Sequence, residues 1–365
     1  MNRPDAGLPE VYDRILPELA GLSWSSEPLA DCANCAMRTN PHPQFPKDYL
    51  FTSPANCCTY HPELPNFLAG RALRRADAGS VRVLKRMSTP GGVVPYGILP
   101  HRYHQDFFAK MHGDNPDDWF GRAKVVCPFW VGGERPCSIY QDRTSICRTW
   151  FCKFEQGTRG FRSWRRLQAV LSAVEHALGE WCARVGQPPK PGAPRQEWVE
   201  FFLWSARRVD AMTDADIADA VAAATEALEK HRAGLASDLA ERDGPMPDLL
   251  WPNVQSFDVN GDEVEFVSYS GYDRRIFPRW VFVLFARLDG KTPWREALAA
   301  AQAELSDARP GVDEALVRDL WRFGLLDVPF ERDWKPGWEM ADAFGVISSD
   351  SGDDPATGPT LAWLT

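Results

Sequence analysis

Between residues 163 and 185 the apolar positions Trp164, Leu167, Leu171, Val174, Leu178 and Trp181 recur at steps of three and four. That is the period of one helix face. The same spacing predicts a second helix over 196–212, with Trp198, Phe201, Phe202, Trp204 and Val209, after the break at Gln187-Pro-Pro-Lys-Pro-Gly192. A third starts at Thr213, an N-cap with Asp216 three residues on, and runs through Ile217, Val221, Ala224, Leu228, Leu235 and Leu239. Gly244-Pro245 stops it. Near the beginning, Val11, Ile15, Leu16 and Leu19 predict a short lead-in helix within residues 1–30.

Beyond Pro247 the pattern changes. Two strand-like runs, 254–259 and 264–269, flank Asn260-Gly261, a strong hairpin signal. A helix opened by Pro278 carries Trp280, Val281, Leu284 and Leu288 and stops at Asp289-Gly290. Thr292-Pro293 reads as an N-cap with proline at the first helical position, opening a helix through Leu298 and Leu305. A third helix follows from Val312, with Leu316, Leu320 and Phe323, and then a closing strand over 325–328. Together these predict a winged-helix-like unit over 252–330. The tail, 331–365, holds the apolar-poor stretch 348–359 and is expected to be partly disordered.

Residues 31–160 contrast with both regions. They are rich in Pro, Gly and Asn and offer few long periodic runs, so something other than regular packing is expected to order them. The fold class expected is therefore α+β: a loop-rich cysteine-cluster metal domain at 31–160, a helical segment at 161–243 and the small winged-helix-like C-terminal domain.

Composition narrows the partners. Forty-one basic against fifty acidic residues give a formal charge of −9, which argues against general affinity for nucleic acid or an anionic membrane. No uninterrupted apolar stretch reaches the length of a membrane span, and residues 1–30 hold no signal-peptide core. A cytoplasmic location is the resulting expectation. It favours metal over a disulfide framework for the cysteines, because disulfides need an oxidising compartment.

Eight of the nine cysteines form one ordered block: Cys32-Ala-Asn-Cys35, Cys57-Cys58, Cys127, Cys137, Cys147 and Cys152. Eight thiols suffice for two four-thiolate sites or one larger cluster, and thiolates select zinc, copper(I) or iron–sulfur centres over magnesium and calcium. Cys32-x-x-Cys35 is the local chelate. In an extended backbone Cys57 and Cys58 point to opposite faces, so they would serve different metals, bridge a cluster, or include one bystander. Cys182, beside Trp181 in the first long helix, reads as a small buried hydrophobe. His61, His101 and His104 lie in the same region and read as structural or surface residues, with His61 placed to share a site with Cys57 and Cys58. The cations Arg143, Arg148, Lys153, Arg159, Arg162, Arg165 and Arg166 surround the last cysteines. They would stabilise a thiolate cluster, contact an anionic substrate, or form a solvated helix face paired with Glu155 and Glu175.

The ordered set Cys32-x-x-Cys35, Cys57-Cys58, Cys127-Pro-Phe, Cys137-Ser-Ile-Tyr-Gln-Asp-Arg143 and Ile146-Cys-Arg148, ending at Cys152, resembles a bacterial cysteine-cluster family. This YkgJ-like family is described as a zinc- or iron-chelating domain, and flagellin lysine N-methylases are similar to it. The resemblance implies metal binding by the eight cysteines. The family packs its first cysteines tightly, whereas 21 residues separate Cys35 from Cys57 here. In the C-terminal region, Leu288-Asp-Gly290 between two helices and Phe323-Gly-Leu-Leu326 resemble the winged-helix domains that bind leader peptides in peptide-modifying systems.

The leading expectation is a metal-binding protein with an iron–sulfur or zinc centre, modifying a protein or peptide that binds through the C-terminal domain. No nucleotide loop or His-Glu-x-x-His helix identifies a reaction, so whether it is an enzyme stays open. The alternatives are a non-catalytic metal-stabilised scaffold or metal-handling protein, and a metal- or redox-responsive DNA-binding regulator.

Overall fold

The structure is a computed structural model that describes residues 9–21, 35–38, 50–89, 91–100, 126–132, 137–254, 256–269, 273–305 and 311–329. Cys32, His101, His104, the tail 331–365 and much of the expected lead-in segment lie outside the described residues. The fold is mixed helix and sheet, divided into two compact units, Met1–Arg242 and Asp243–Thr365.

In the first unit the lead-in helix is α1, Val11–Ile15, followed by a 3-10 turn at Pro17–Gly21. The cysteine-rich region then holds two helices that its loop-like composition did not announce: α2, Asn66–Arg74, and α3, Ala78–Met87. A small antiparallel sheet accompanies them, in the order β1 (Leu64–Pro65), β3 (Gly97–Ile98), β2 (Val93–Val94). Asp77 caps α3, its carboxylate accepting from the N–H groups of Gly79 and Ser80 at 2.8 and 3.2 Å. The short α4, Ser145–Thr149, carries Cys147.

Four further helices complete this unit. The long α5, Gly157–Val185, begins about six residues before its apolar stripe, and every member of that stripe is buried. Next come α6 (Arg195–Asp210), α7 (Asp214–Val221) and α8 (Thr225–Asp243). The third predicted helix is thus two, joined by a 3-10 turn at Ala222–Ala224, and the Thr213–Asp216 capping box at its start is complete. Backbones approach closely where α2 meets α6: a Cβ on Gly70 would lie 1.9 Å from the Phe202 carbonyl oxygen. Asn66, fully buried, ties the start of α2 to α5 through hydrogen bonds from Nδ2 to the carbonyls of Pro95 (2.9 Å) and Gly179 (2.8 Å).

The second unit opens with β4, Trp251–Pro252, which pairs with the closing strand β8, Leu326–Asp327. The Asn260-Gly261 hairpin forms as expected between β5 (Phe257–Asn260) and β6 (Glu263–Val267), with Gly261 at φ +61°. A third strand, β7 (Arg274–Pro278), extends the meander to β5-β6-β7 and takes in Pro278, so that proline ends a strand and the helix expected to open there starts at Val281 instead. Helices α9 (Val281–Arg287), α10 (Trp294–Leu305) and α11 (Glu314–Arg322) follow. Pro293 sits just before α10, its carbonyl accepting from Ala297 at 3.1 Å, one position earlier than the sequence suggested. The core of this unit gathers Phe266, Leu284, Trp294, Val317, Leu320 and Leu326.

Candidate metal centre

The cysteines are carried on turns, and a few specific bonds dock those turns together. Arg38 lies in the turn that starts at Cys35. Its Nε donates to Asn56 Oδ1 at 2.7 Å and its Nη2 to the Ser53 carbonyl at 2.8 Å. The Phe51 N–H donates to the Met37 carbonyl at 2.8 Å, so the Cys35 turn rests on the segment leading to Cys57 and Cys58. Asn56 adopts φ +52°, a left-handed conformation that asparagine tolerates better than most residues. The chain therefore turns through Cys57-Cys58 instead of passing extended. Contrary to the opposite-faces expectation, the two thiols meet: a hydrogen bond with Cys57 holds Cys58 below the ordinary thiol range, against burial and helped by Arg143.

From there one backbone bond reaches the next cysteine, the Cys127 N–H donating to the Cys58 carbonyl at 2.7 Å. Cys137 follows on an antiparallel bridge to Trp130, secured by Ser138 N–H to the Phe129 carbonyl at 2.9 Å. This small hairpin leans on α3, where a Cβ on Gly79 would lie 2.5 Å from the Ser138 carbonyl oxygen. Cys147 arrives on α4. Cys152 follows at a bend three residues past that helix, so the pair is joined by a bend and not by one helix face.

Two of these thiols, Cys127 and Cys147, feel the charge of others in the block. Burial raises the Cys127 thiol above its ordinary range, and Cys147, Cys58 and Cys137 push the same way. Burial pushes the Cys147 thiol up to about 12, with Cys137 and Cys58 adding and Arg143 opposing. Cys58, Cys127 and Cys147 carry free thiols, as does Cys182, which is fully buried in α5 as expected. Among the described residues no three His, Cys, Asp or Glu side chains form a group that could hold a metal ion as they stand. The His61 ring, read as a structural residue, is engaged by its Nε2 with the Val126 carbonyl at 2.9 Å.

The cations behave differently from one another. Arg143 stacks over the Tyr140 ring at 3.7 Å and acts electrostatically on Cys58 and Cys147. Arg148 is buried and binds backbone: Nε donates to the Arg143 carbonyl at 2.6 Å and Nη2 to the Gln141 carbonyl. On α5, Arg159, Arg162 and Arg166 pair with Glu241 and Asp238 of α8. Glu175 instead lies buried under α4 and binds Ser145, while Asp142 is clamped between Arg71 (3.5 Å) and Arg75. Neither acid was singled out in the sequence as part of this frame. Nor was the cationic end of α3, whose signal was the i, i+3, i+4 spacing of Arg82, Lys85 and Arg86.

Comparison with models of known protein families, with curated proteins and with solved structures finds no match to this chain. No helix among the described residues is long and apolar enough to cross a membrane.

Proposed function

We propose that the first unit is a metal-binding domain whose centre is held by Cys58, Cys127, Cys137 and Cys147. The influence of Cys58 and Cys137 on both Cys127 and Cys147, four cysteines carried on separate turns, supports the reading. Thiols packed so that each ionisation opposes the next become stable thiolates once a cation neutralises them. Four sulfur donors suit zinc or an iron–sulfur centre, in keeping with the cysteine-cluster resemblance. Cys32, Cys35, Cys57 and Cys152 supply the remaining thiols for a second or larger centre.

When bound, zinc would supply Lewis-acid chemistry or structural closure, and an iron–sulfur centre would supply electron transfer. The chain's own residues position the donors: Arg38 docks the first turn, the Cys127–Cys58 backbone bond docks the second, and Glu175 fixes the start of α4. Arg143 places a positive charge beside sulfurs that would become anionic.

The second unit is proposed as a winged-helix-like module for a peptide or protein partner. Its support is the outermost strand β5, where Phe257 and Val259 are 49% and 46% exposed. Such a strand accepts an added strand through its main chain while the side chains select the sequence.

The deciding experiment is metal and acid-labile sulfide content, with an absorption spectrum, on the full chain purified without oxygen. Zinc, or iron with sulfide, lost together when Cys58 and Cys147 are replaced, supports the reading. Stoichiometric absence of both metals overturns it.

A further inference from the structure

Strand β5 stands at one edge of the β5-β6-β7 sheet, and among the described residues no strand lies beyond it. Its pairing with β6 decides which of its groups face outward. Val267 donates its N–H to the Ser256 carbonyl at 3.4 Å, one step beyond the Phe257–Phe266 pair, so Ser256 belongs to the bonded set of the ladder. Bonded and unbonded pairs alternate along an antiparallel ladder, which puts Asp258 and Asn260 in the bonded set with Ser256. The N–H and C=O groups of Phe257 and Val259 therefore point away from β6, toward the open edge.

The side chains of β5 divide between two faces in the same alternation. Phe257 and Val259 lie on the face that packs on the helices, where the Phe257 ring meets those of Phe266 at 6.1 Å and Phe282 at 5.2 Å. Both remain half exposed, whereas their partners on β6, Phe266 and Val264, are fully buried. The apolar layer runs past the edge of the sheet and ends uncovered. On the other face Asp258 stands directly opposite Glu265. Like charges in that position oppose pairing. Burial, with Asp258 adding, raises the Glu265 carboxyl, and Glu265 pairs with Arg274 at 2.6 Å. Asp258 has no ion pair among the described residues, and the hairpin from Phe257 to Val267 adds Asp262 and Glu263 but no basic residue.

We propose that β5 binds a cationic extended segment of a partner polypeptide, added as a further strand with a lysine or arginine opposite Asp258 and an apolar residue on either side of it. The basic side chain neutralises the Asp258–Glu265 repulsion on one face, and its apolar neighbours cover Phe257 and Val259 on the other. The main-chain groups of Phe257 and Val259 supply the bonds between the strands. A second copy of this chain fits poorly. Pairing β5 with itself would bring another Asp258, and the carboxylates of another hairpin, to a face that is already acidic. The proposal rests on the reading of the second unit as a partner module and adds to it the chemistry of the partner.

The test is calorimetric titration of the full chain, at low salt, with a short peptide alternating lysine and valine and, separately, with its glutamate–valine counterpart. The lysine peptide is expected to bind about tenfold or more tightly than the glutamate peptide. Asp258 is exposed, so Asp258→Lys leaves the core intact. It is expected to reverse that preference without lowering the melting temperature. Hydrogen exchange at the Phe257 and Val259 amides is expected to slow when the lysine peptide binds, because bonds to the added strand shield them. Slowed exchange with equal affinity for the two peptides, or an unreversed preference in Asp258→Lys, overturns the proposal while leaving strand addition standing. Preference for the lysine peptide with unslowed exchange overturns strand addition at β5 itself. Binding of neither peptide overturns both. Concentration-dependent dimerisation of the unliganded chain that slows the same two amides assigns the edge to a second copy and also overturns the proposal.

Discussion

Glu175 accepts the backbone N–H of Ser145 at 2.7 Å and the Ser145 hydroxyl at 2.9 Å, so a buried carboxyl on α5 holds the first turn of the helix that carries Cys147. Burial pushes this carboxyl up to about 7 from an ordinary 4.5, despite the opposing Ser145 bonds and Arg148. Below pH 4.5 both folded and unfolded chains keep the proton. Between there and pH 7 the unfolded chain ionises first, so stability falls as pH rises and the loss is complete above the folded value. The shift corresponds to about 3 kcal/mol. Urea unfolding at pH 5 and pH 8 is expected to show this loss, and Glu175→Gln is expected to flatten it.

Cys147→Ser and Cys182→Ala separate ligands from packing. The first removes one of the four thiols proposed as ligands and is expected to weaken metal binding at least about tenfold, no less than the loss of a supporting partner does. The second empties a small site in the core and is expected to cost about 1 kcal/mol with metal content unchanged. Metal analysis beside thermal melting checks both; equal metal loss in the two would remove the distinction.

Asp142 sits between Arg71 and Arg75 with 2% of its surface exposed, and burial raises its carboxyl against the pull of both cations. Asp142→Asn keeps the shape and removes the charge. Arg71 retains Asp210 at 2.6 Å and Arg75 retains Asp77 at 3.1 Å, which limits the damage to about 2 kcal/mol. Chemical denaturation measures it, and a neutral result would show that the two surface-side acids suffice.

Gly70→Ala is expected to be costlier. The added methyl would meet the Phe202 carbonyl at 1.9 Å, and backbone gives way less readily than a side chain. Separating α2 from α6 is expected to cost about 3 kcal/mol and to lower the yield of folded chain. An alanine variant as stable as the parent would contradict this account of the contact.

The apolar stripe of α5 and the Asn260-Gly261 hairpin could be read from the sequence because bulky side chains and a turn dipeptide advertise them. Helix α2 could not, for a physical reason. Its closest approach to α6 is at Gly70, which has no side chain to mark the face, and its bulky buried residues Phe67, Leu68 and Leu73 are too few to set a long period. Strand β7 was hidden by Arg274 and Arg275, which break the alternation. The cysteine block was plain in outline, but the local turn at Asn56 decides how Cys57 and Cys58 face. Glu175 looked like a surface partner for cations because nothing in its spacing shows that α4 lies across it.

The close contact of α2 with α6 also sets an order of events in time. Arg71 and Asp210, which bridge those helices, stand 139 positions apart, so the frame under the thiols is closed by late, long-range contacts. During synthesis the segments bearing Cys57, Cys58, Cys127, Cys137 and Cys147 all leave the ribosome before α6 exists to support α2. A nascent chain therefore presents reactive sulfur to its surroundings before it has a scaffold, and its yield should depend on how reducing those surroundings are.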